Sequence, residues 1–213
     1  MHRRRRLPRE KVWIVTYTPQ LPSVALVRHG ETDWSKTHRH TGRTDVLLTE
    51  TGRAQARSLG DLLAEWRDTR VLTSPLSRAV ETCRLAGFDG AYELVDDLRE
   101  WDYGVYEGRT TVDIRSEIPD WSVWTHPIMQ GESVDSVAER ADRVIEQIRG
   151  KDRDVVVFAH GHLLRILAAR WCGLTPQYGR VLALDTATIS VLGYERETPV
   201  VRVWNSPCEP RAT

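Results

Sequence analysis

Val155-Val-Val-Phe-Ala159 constrains this chain more than any other segment: five consecutive apolar residues, three of them β-branched, ending at His160-Gly161. A strand apolar on both faces must be covered on both faces, which places it at the centre of a parallel sheet between layers of helices. From Ser23 onward the chain supplies those layers. Val24-Ala-Leu-Val27 is a second compact run and stops at Arg28-His29-Gly30. Leu59, Leu62, Leu63 and Trp66 recur at helical spacing, marking a helix that begins near Thr51. Val71-Leu72-Thr73 reads as a strand entering Ser74-Pro75, where proline suits the first turn of the following helix. That helix carries Leu76, Ala79, Val80 and Cys83 on one side, with Cys83 as packing, and stops near Gly87. Residues 92–98 form a weaker strand, and Val134, Val137, Ala141, Val144, Ile145 and Ile148 make another helical face. Leu164, Leu167, Ala168 and Trp171 mark the last helix. Residues 181–184, 188–193 and 200–204 read as closing strands, the last two an antiparallel pair. The expected fold class is α/β, a three-layer α/β/α sandwich with a mostly parallel central sheet. Within it, the aromatic, proline-broken stretch 101–131 reads as a small lid insertion rather than core.

Composition narrows the function classes. No apolar run approaches the roughly 18 residues of a spanning helix, so no membrane partner is expected. Three widely spaced cysteines make neither a disulfide framework nor a zinc knuckle; a reducing, cytoplasmic setting is the simpler home. Thirty basic and thirty acidic residues balance, but residues 1–22 hold six basic groups and one acid, so the rest carries 24 against 29. An acidic body with a basic tail disfavours nucleic acid as a partner. Residues 1–22 read as a disordered leader or as residues translated upstream of the true start, with contact to an anionic surface as the other reading. They lack the continuous apolar core of a signal peptide. The expected domain spans 23–205, followed by a tail over 206–213.

Candidate chemistry collects where strands end, which in parallel sheets is where sites form. Arg28 and His29 close the first strand, Ser74 the second with Arg78 one turn into its helix, Glu100 follows the third, and His160 closes the central strand before Gly161. Arginine presents a planar fork that matches phosphate, and a helix N-terminus adds to an anion pocket. Histidine can attack phosphorus, and a carboxylic acid can protonate the leaving oxygen. No carboxylate cluster with metal-ligand spacing is evident, so neither metal nor cofactor is expected. Nearby residues take plainer readings. His162 reads as structural, with orientation of the substrate as the other reading; His38 and His40 read as solvated loop residues, with approach to a substrate as theirs; and Trp121 and Trp124 either stack on a sugar ring or fill the underside of the lid.

The motifs carry a resemblance. Leu26-Val-Arg-His-Gly-Glu-Thr32, with Trp34, Arg39, Thr41-Gly42 and Asp45 through Gly52, resembles the signature of the histidine phosphatase (phosphoglycerate mutase-like) superfamily. Ser74–Thr82 is similar to its second-arginine segment, Leu98–Gly104 to its acid segment, and Phe158–His162 to its second-histidine segment. The resemblance implies His29 as the phosphorylated nucleophile and Glu100 as proton donor. It implies Arg28, Arg78 and His160 as holders of the phosphoryl oxygens, with Ser35, Arg39, Thr41, Gly42, Tyr103 and Gly161 lining the substrate pocket. Ser35 stands where the family's mutases carry Asn, and Arg109 and Arg115 do not form the paired arginines of a mutase insertion. Glu100–Gly108 is similar to the acid phosphatase and sedoheptulose-bisphosphatase branch. Hydrolysis of a small phosphorylated substrate, foremost a sugar phosphate, is therefore expected ahead of a bisphosphoglycerate-primed mutase or a non-catalytic phospho-ligand-binding module. A homodimer is allowed.

Overall fold

The computed structural model describes residues 21–149 and 153–208, so most of the expected leader and the end of the tail lie outside the described residues. Six strands form one sheet: β1 (Val24–Arg28), β2 (Arg70–Thr73), β3 (Glu93–Leu94), β4 (Val155–Ala159), β5 (Thr188–Glu195) and β6 (Thr198–Pro207). Their order across the sheet is β3-β2-β4-β1-β5-β6. The first four run parallel, while β5 and β6 are antiparallel additions on the β1 side. β4 lies inside, as a fully apolar strand must, with all five residues buried.

Alternation along each strand divides the core into two faces. Val24, Leu26, Leu72, Val155 and Val157 face α5 (Val134–Arg149) and α6 (Gly161–Trp171). Ala25, Val27, Val71, Val156 and Phe158 face α2 (Glu50–Leu62) and α3 (Ser77–Cys83), with Phe88 beyond. The helices following β1 and β4 thus cover opposite faces. The crevice between the carboxyl ends of those neighbouring strands is the switch point at which open sheets bind ligands.

Four expectations change. Residues 181–184 are not a strand, because Pro176–Val181 winds into a short 3₁₀ segment and the following carbonyls of Ala183 and Leu184 accept side-chain bonds instead of ladder bonds. The weak strand of residues 92–98 pairs only at Glu93–Leu94, after which Asp96–Leu98 turns as 3₁₀. The stretch 101–131 is core as much as cover: Trp101, Tyr103, Tyr106, Ile114 on α4 (Thr111–Arg115), Trp121, Val123, Trp124 and Ile128 are buried in the same cluster as Leu26 and Val157. The helical stripe of α2 also shifts. Leu59 and Leu63 are buried, but Leu62 points to solvent where the helix ends.

The ends of the aromatic stretch are fastened together. Gly104 has φ 49°, and a Cβ there would lie 2.1 Å from the Met129 carbonyl oxygen. Val105 N–H donates to that same carbonyl, at 3.1 Å. Gly104→Ala therefore combines a left-handed residue with a backbone clash, and we expect it to lower stability by about 2–4 kcal/mol in urea unfolding. An unchanged midpoint would show that the two ends are not fastened.

Candidate active site

The nucleophile candidate is stitched into the sheet edge. His29 N–H donates to Ala159 O (3.1 Å), and Ser74 N–H donates to Phe158 O (2.9 Å), so three strand ends share one ladder. His29 and His160 are buried side by side, with ring centroids 5.2 Å apart. His29 Nδ1 lies 2.7 Å from Gly30 O. A carbonyl only accepts, so Nδ1 carries the proton and the Nε2 lone pair is left bare. Burial, then Arg78 and Arg28, push its pKa well below the ordinary histidine value.

Arg78 has no solvent exposure and must satisfy its donors within the protein. Nε donates to His160 Nδ1 (3.2 Å), Nη1 to Thr44 O (3.0 Å), and Nη2 to Thr41 O (3.2 Å) and Gly42 O (3.0 Å). Since His160 Nδ1 accepts, its proton sits on Nε2, which donates to Ser74 Oγ at 2.7 Å. In this structure four of the five Arg78 N–H groups and the His160 ring N–H go to protein acceptors, and His160 stands beside His29. Gly42, expected to line the pocket, is buried and lies outside the cavity wall, its N–H held by Glu107 and its carbonyl gripping Arg78.

Arg28 does face the opening. Nη1 donates to Leu184 O at 2.5 Å, the guanidinium packs on Gly161, and buried Nε has no protein partner. A desolvated guanidinium N–H without an acceptor is costly, and an anion in front of it would remove that cost.

Glu100 caps the start of α6. Oε1 accepts N–H bonds from Trp101 (2.9 Å) and Leu163 (3.0 Å), and Oε2 accepts one from His162 (3.0 Å). The acid segment is itself clamped. Arg140 forks onto Glu132 at 2.8 Å through both carboxylate oxygens and donates Nη1 to Asp97 O (2.7 Å) and Arg99 O (3.0 Å). Glu132 in turn accepts from Asp102 N (3.0 Å) and, through its carbonyl, from Trp101 Nε1 (2.9 Å).

These groups border a cavity of about 190 Å³ whose walls include Arg28, His29, Glu100, Tyr103 and Gly161, with Ser35, Arg39 and Thr41 nearer its mouth. Ser35 belongs to the capping box that starts α1 (Asp33–Lys36), its hydroxyl donating to Thr32 O (3.0 Å). His38, His40, His162, Arg165 and Leu184 complete the wall. The histidines read from sequence as structural or solvated thus border the site, and Arg165 was not anticipated. The available signal was its position four residues after Gly161, on the same helical face. Tyr103, whose hydroxyl is pushed well above its ordinary pKa by burial, donates to His162 Nδ1 at 2.6 Å. Trp121 and Trp124 are buried beneath this wall, and Cys83, with its thiol pushed up to about 12 by burial, packs in the core. Among the described residues no group of three or more His, Cys, Asp or Glu could hold a metal ion, and no helix is long and apolar enough to cross a membrane.

Burial dominates the lowered pKa values of His29, His160 and His162, and holds His40 at about 4. Unfolded histidines titrate near 6.5, so below that pH the unfolded chain binds protons that the native one refuses. Stability is then present above about pH 6.5 and lost as pH falls, by up to about 1.4 kcal/mol per pH unit for each histidine. We expect unfolding at pH 5.5 to take up roughly three to four protons, read from the slope of unfolding free energy against pH. A flat profile between pH 7 and pH 5 would contradict four desolvated neutral rings.

Comparison with known proteins identifies the family. Residues 24–207 match the histidine phosphatase superfamily (branch 1). An acid phosphatase of Mycobacterium tuberculosis (strain ATCC 25618 / H37Rv) is 46% identical over 174 residues, covering 80% of this chain and 85% of that protein. Sedoheptulose 1,7-bisphosphatase of Saccharomyces cerevisiae is 35% identical over 189 residues, covering 73% and 69%. The solved structure of an open reading frame product from Mycobacterium tuberculosis superposes with a TM-score of 0.83 at 41% identity, covering 88% of this chain and 99% of that one. The family match over residues 24–207, with relatives this similar over most of the chain, establishes that the chain belongs to the histidine phosphatase superfamily, branch 1.

Proposed function

We propose that this protein is a phosphomonoesterase that hydrolyses small phosphorylated metabolites, sugar phosphates foremost, through a phosphohistidine on His29. The observation that carries the reading is the locked tautomer of His29, its bare Nε2 in the same cavity as Arg28, whose buried Nε has no protein partner among the described residues. In the first step the Nε2–phosphorus bond forms as the phosphorus–oxygen ester bond breaks, and Glu100 delivers a proton to the departing oxygen. Oε2, which accepts one N–H bond where Oε1 accepts two, is the oxygen we assign that proton. In the second step water attacks phosphorus, its proton passes to the Glu100 carboxylate, and the nitrogen–phosphorus bond breaks to release phosphate. Arg28 and the Gly161 end of α6 face the transferring group and neutralise its charge, the main task in phosphoryl transfer. Arg78 and His160 flank the nucleophile and, as the resemblance implies, help to hold the phosphoryl oxygens.

Hydrolysis is favoured over mutase action by how the arginines of the 101–131 stretch are used. Arg109 pairs with Glu117, and Arg115 donates to the Trp121 carbonyl, so neither reaches the cavity. A non-catalytic binding module would have no use for an acid held at the cavity wall.

Brief exposure to p-nitrophenyl phosphate followed by an alkaline denaturing quench, which preserves phosphohistidine, should leave one phosphoryl group on the peptide containing His29. Glu100→Gln should lower kcat by roughly 10²–10⁴-fold with affinity retained. A His29→Ala protein that still turns over ends this reading. Arg140→Met, which loosens the clamp on Glu100 without touching the cavity, should lower kcat about tenfold at nearly unchanged KM. Equal kcat would show that the clamp does not position the acid.

A further inference from the structure

The cavity is more cationic than a single phosphoryl group requires. Arg28, Arg39 and Arg165 border it, and Glu100 is the one carboxylate on its wall. Among the described residues neither Arg39 nor Arg165 forms an ion pair with a carboxylate, while Asp185 acts on Arg28 from the neighbouring recess. Behind them, Arg78 has only Asp45 at 3.8 Å. One phosphate dianion in front of Arg28 therefore leaves positive charge elsewhere on the wall.

That charge has a defined place. Arg165 sits one turn along α6 from Gly161, roughly 6 Å further along the helix axis. Its guanidinium plane is fixed from two sides, Nε donating to Gly179 O (2.9 Å) and Nη2 to Arg180 O (3.1 Å), while the group lies 4.8 Å over the Trp124 ring. Gly179 makes this seat possible, because a Cβ there would come within 2.9 Å of Trp124 Cη2. Nη1 donates to no protein acceptor among the described residues. A side chain that is half-buried, held flat and left with an open donor edge is organised for a ligand rather than for the fold. At the rim, exposed Arg39 is tethered through Nη1 to Gly108 O (2.8 Å), with its remaining donors unassigned to protein. The other recess that opens beside Ser35 is different. Lys36 is accompanied there by Glu31 and Asp185, so it carries both signs of charge.

We propose that Arg165, assisted by Arg39, binds a second anionic group of the substrate, so that preferred substrates are phosphate monoesters bearing another phosphate or a carboxylate several bonds from the ester. This assignment rests on the phosphatase reading above and adds the class of substrate to it. Arg165 recognises the shared chemistry of the two anions, a planar or tetrahedral array of oxygens able to take paired N–H bonds.

The test uses matched pairs: fructose 1,6-bisphosphate against fructose 6-phosphate, and 3-phosphoglycerate against glycerol 3-phosphate, with p-nitrophenyl phosphate as reference. In the wild type, kcat/KM should favour the bis-anionic member of at least one pair. Arg165→Met should lose at least ten times more kcat/KM on that member than on p-nitrophenyl phosphate, and Arg165→Lys, which keeps charge but not the fork, should fall between. Which pair responds separates phosphate from carboxylate. Equal losses on every compound, or none, overturn the assignment. Equilibrium binding of the same compounds to the His29→Ala protein, with and without Arg165→Met, reads the same preference without turnover. A wild type that hydrolyses nothing would therefore overturn the phosphatase reading alone, while the binding ratio still decides the role of Arg165.

Discussion

The buried guanidinium of Arg78 is the constraint on which the rest of the site depends. With no water to solvate it, the group must find acceptors within the protein, and it finds them on His160 and on the carbonyls of Thr41, Gly42 and Thr44 in one loop. One side chain thereby joins the end of β4, the start of α3 and the loop that precedes α2. Such an arrangement is strongly cooperative: removing one member strands the others in a dry interior, which costs several kcal/mol in comparable buried networks. The loop, in turn, is kept in place by Glu107, which accepts N–H bonds from Gly42 and Thr44.

The same dryness sets the protonation pattern. Neighbouring arginines and desolvation both disfavour an imidazolium at 29 or 160, and the hydrogen-bond partners then select the tautomer of each ring. Gly30 O fixes the proton of His29 on Nδ1, while Arg78 fixes that of His160 on Nε2. Two chemically identical side chains 5.2 Å apart are thus given different tasks by what touches them. One keeps an exposed lone pair, and the other has both nitrogens engaged.

Much of this was legible in the sequence, for physical reasons. Regular strands and helices announce themselves by period, so β1, β4, α5 and α6 and the reactive residues at their ends could be placed from residue pattern alone. What could not be placed was irregular backbone. The stretch from Trp101 to Ile128 has no period, and its aromatic content reads as surface cover until packing shows it filling one face of the sheet. Arg78 and His160 were found, but not the loop carbonyls that take up the donors of Arg78, because those bonds join positions more than 30 residues apart. Arg165 shares the helical face of Gly161 at a spacing of four, but its guanidinium is aimed by the carbonyls of Gly179 and Arg180, which no local pattern announces.

Because the aromatic stretch belongs to the core, the cavity wall it forms cannot drift independently of folding. Tyr103 and the ring beneath Arg165 answer to packing first, so exchange of these side chains for others is restrained by the integrity of the whole domain. Exposed positions at the mouth, such as His38 and Arg39, answer to no such demand. Evolutionary diversification of this scaffold is thereby channelled to the entrance, leaving the deeper wall as inherited architecture.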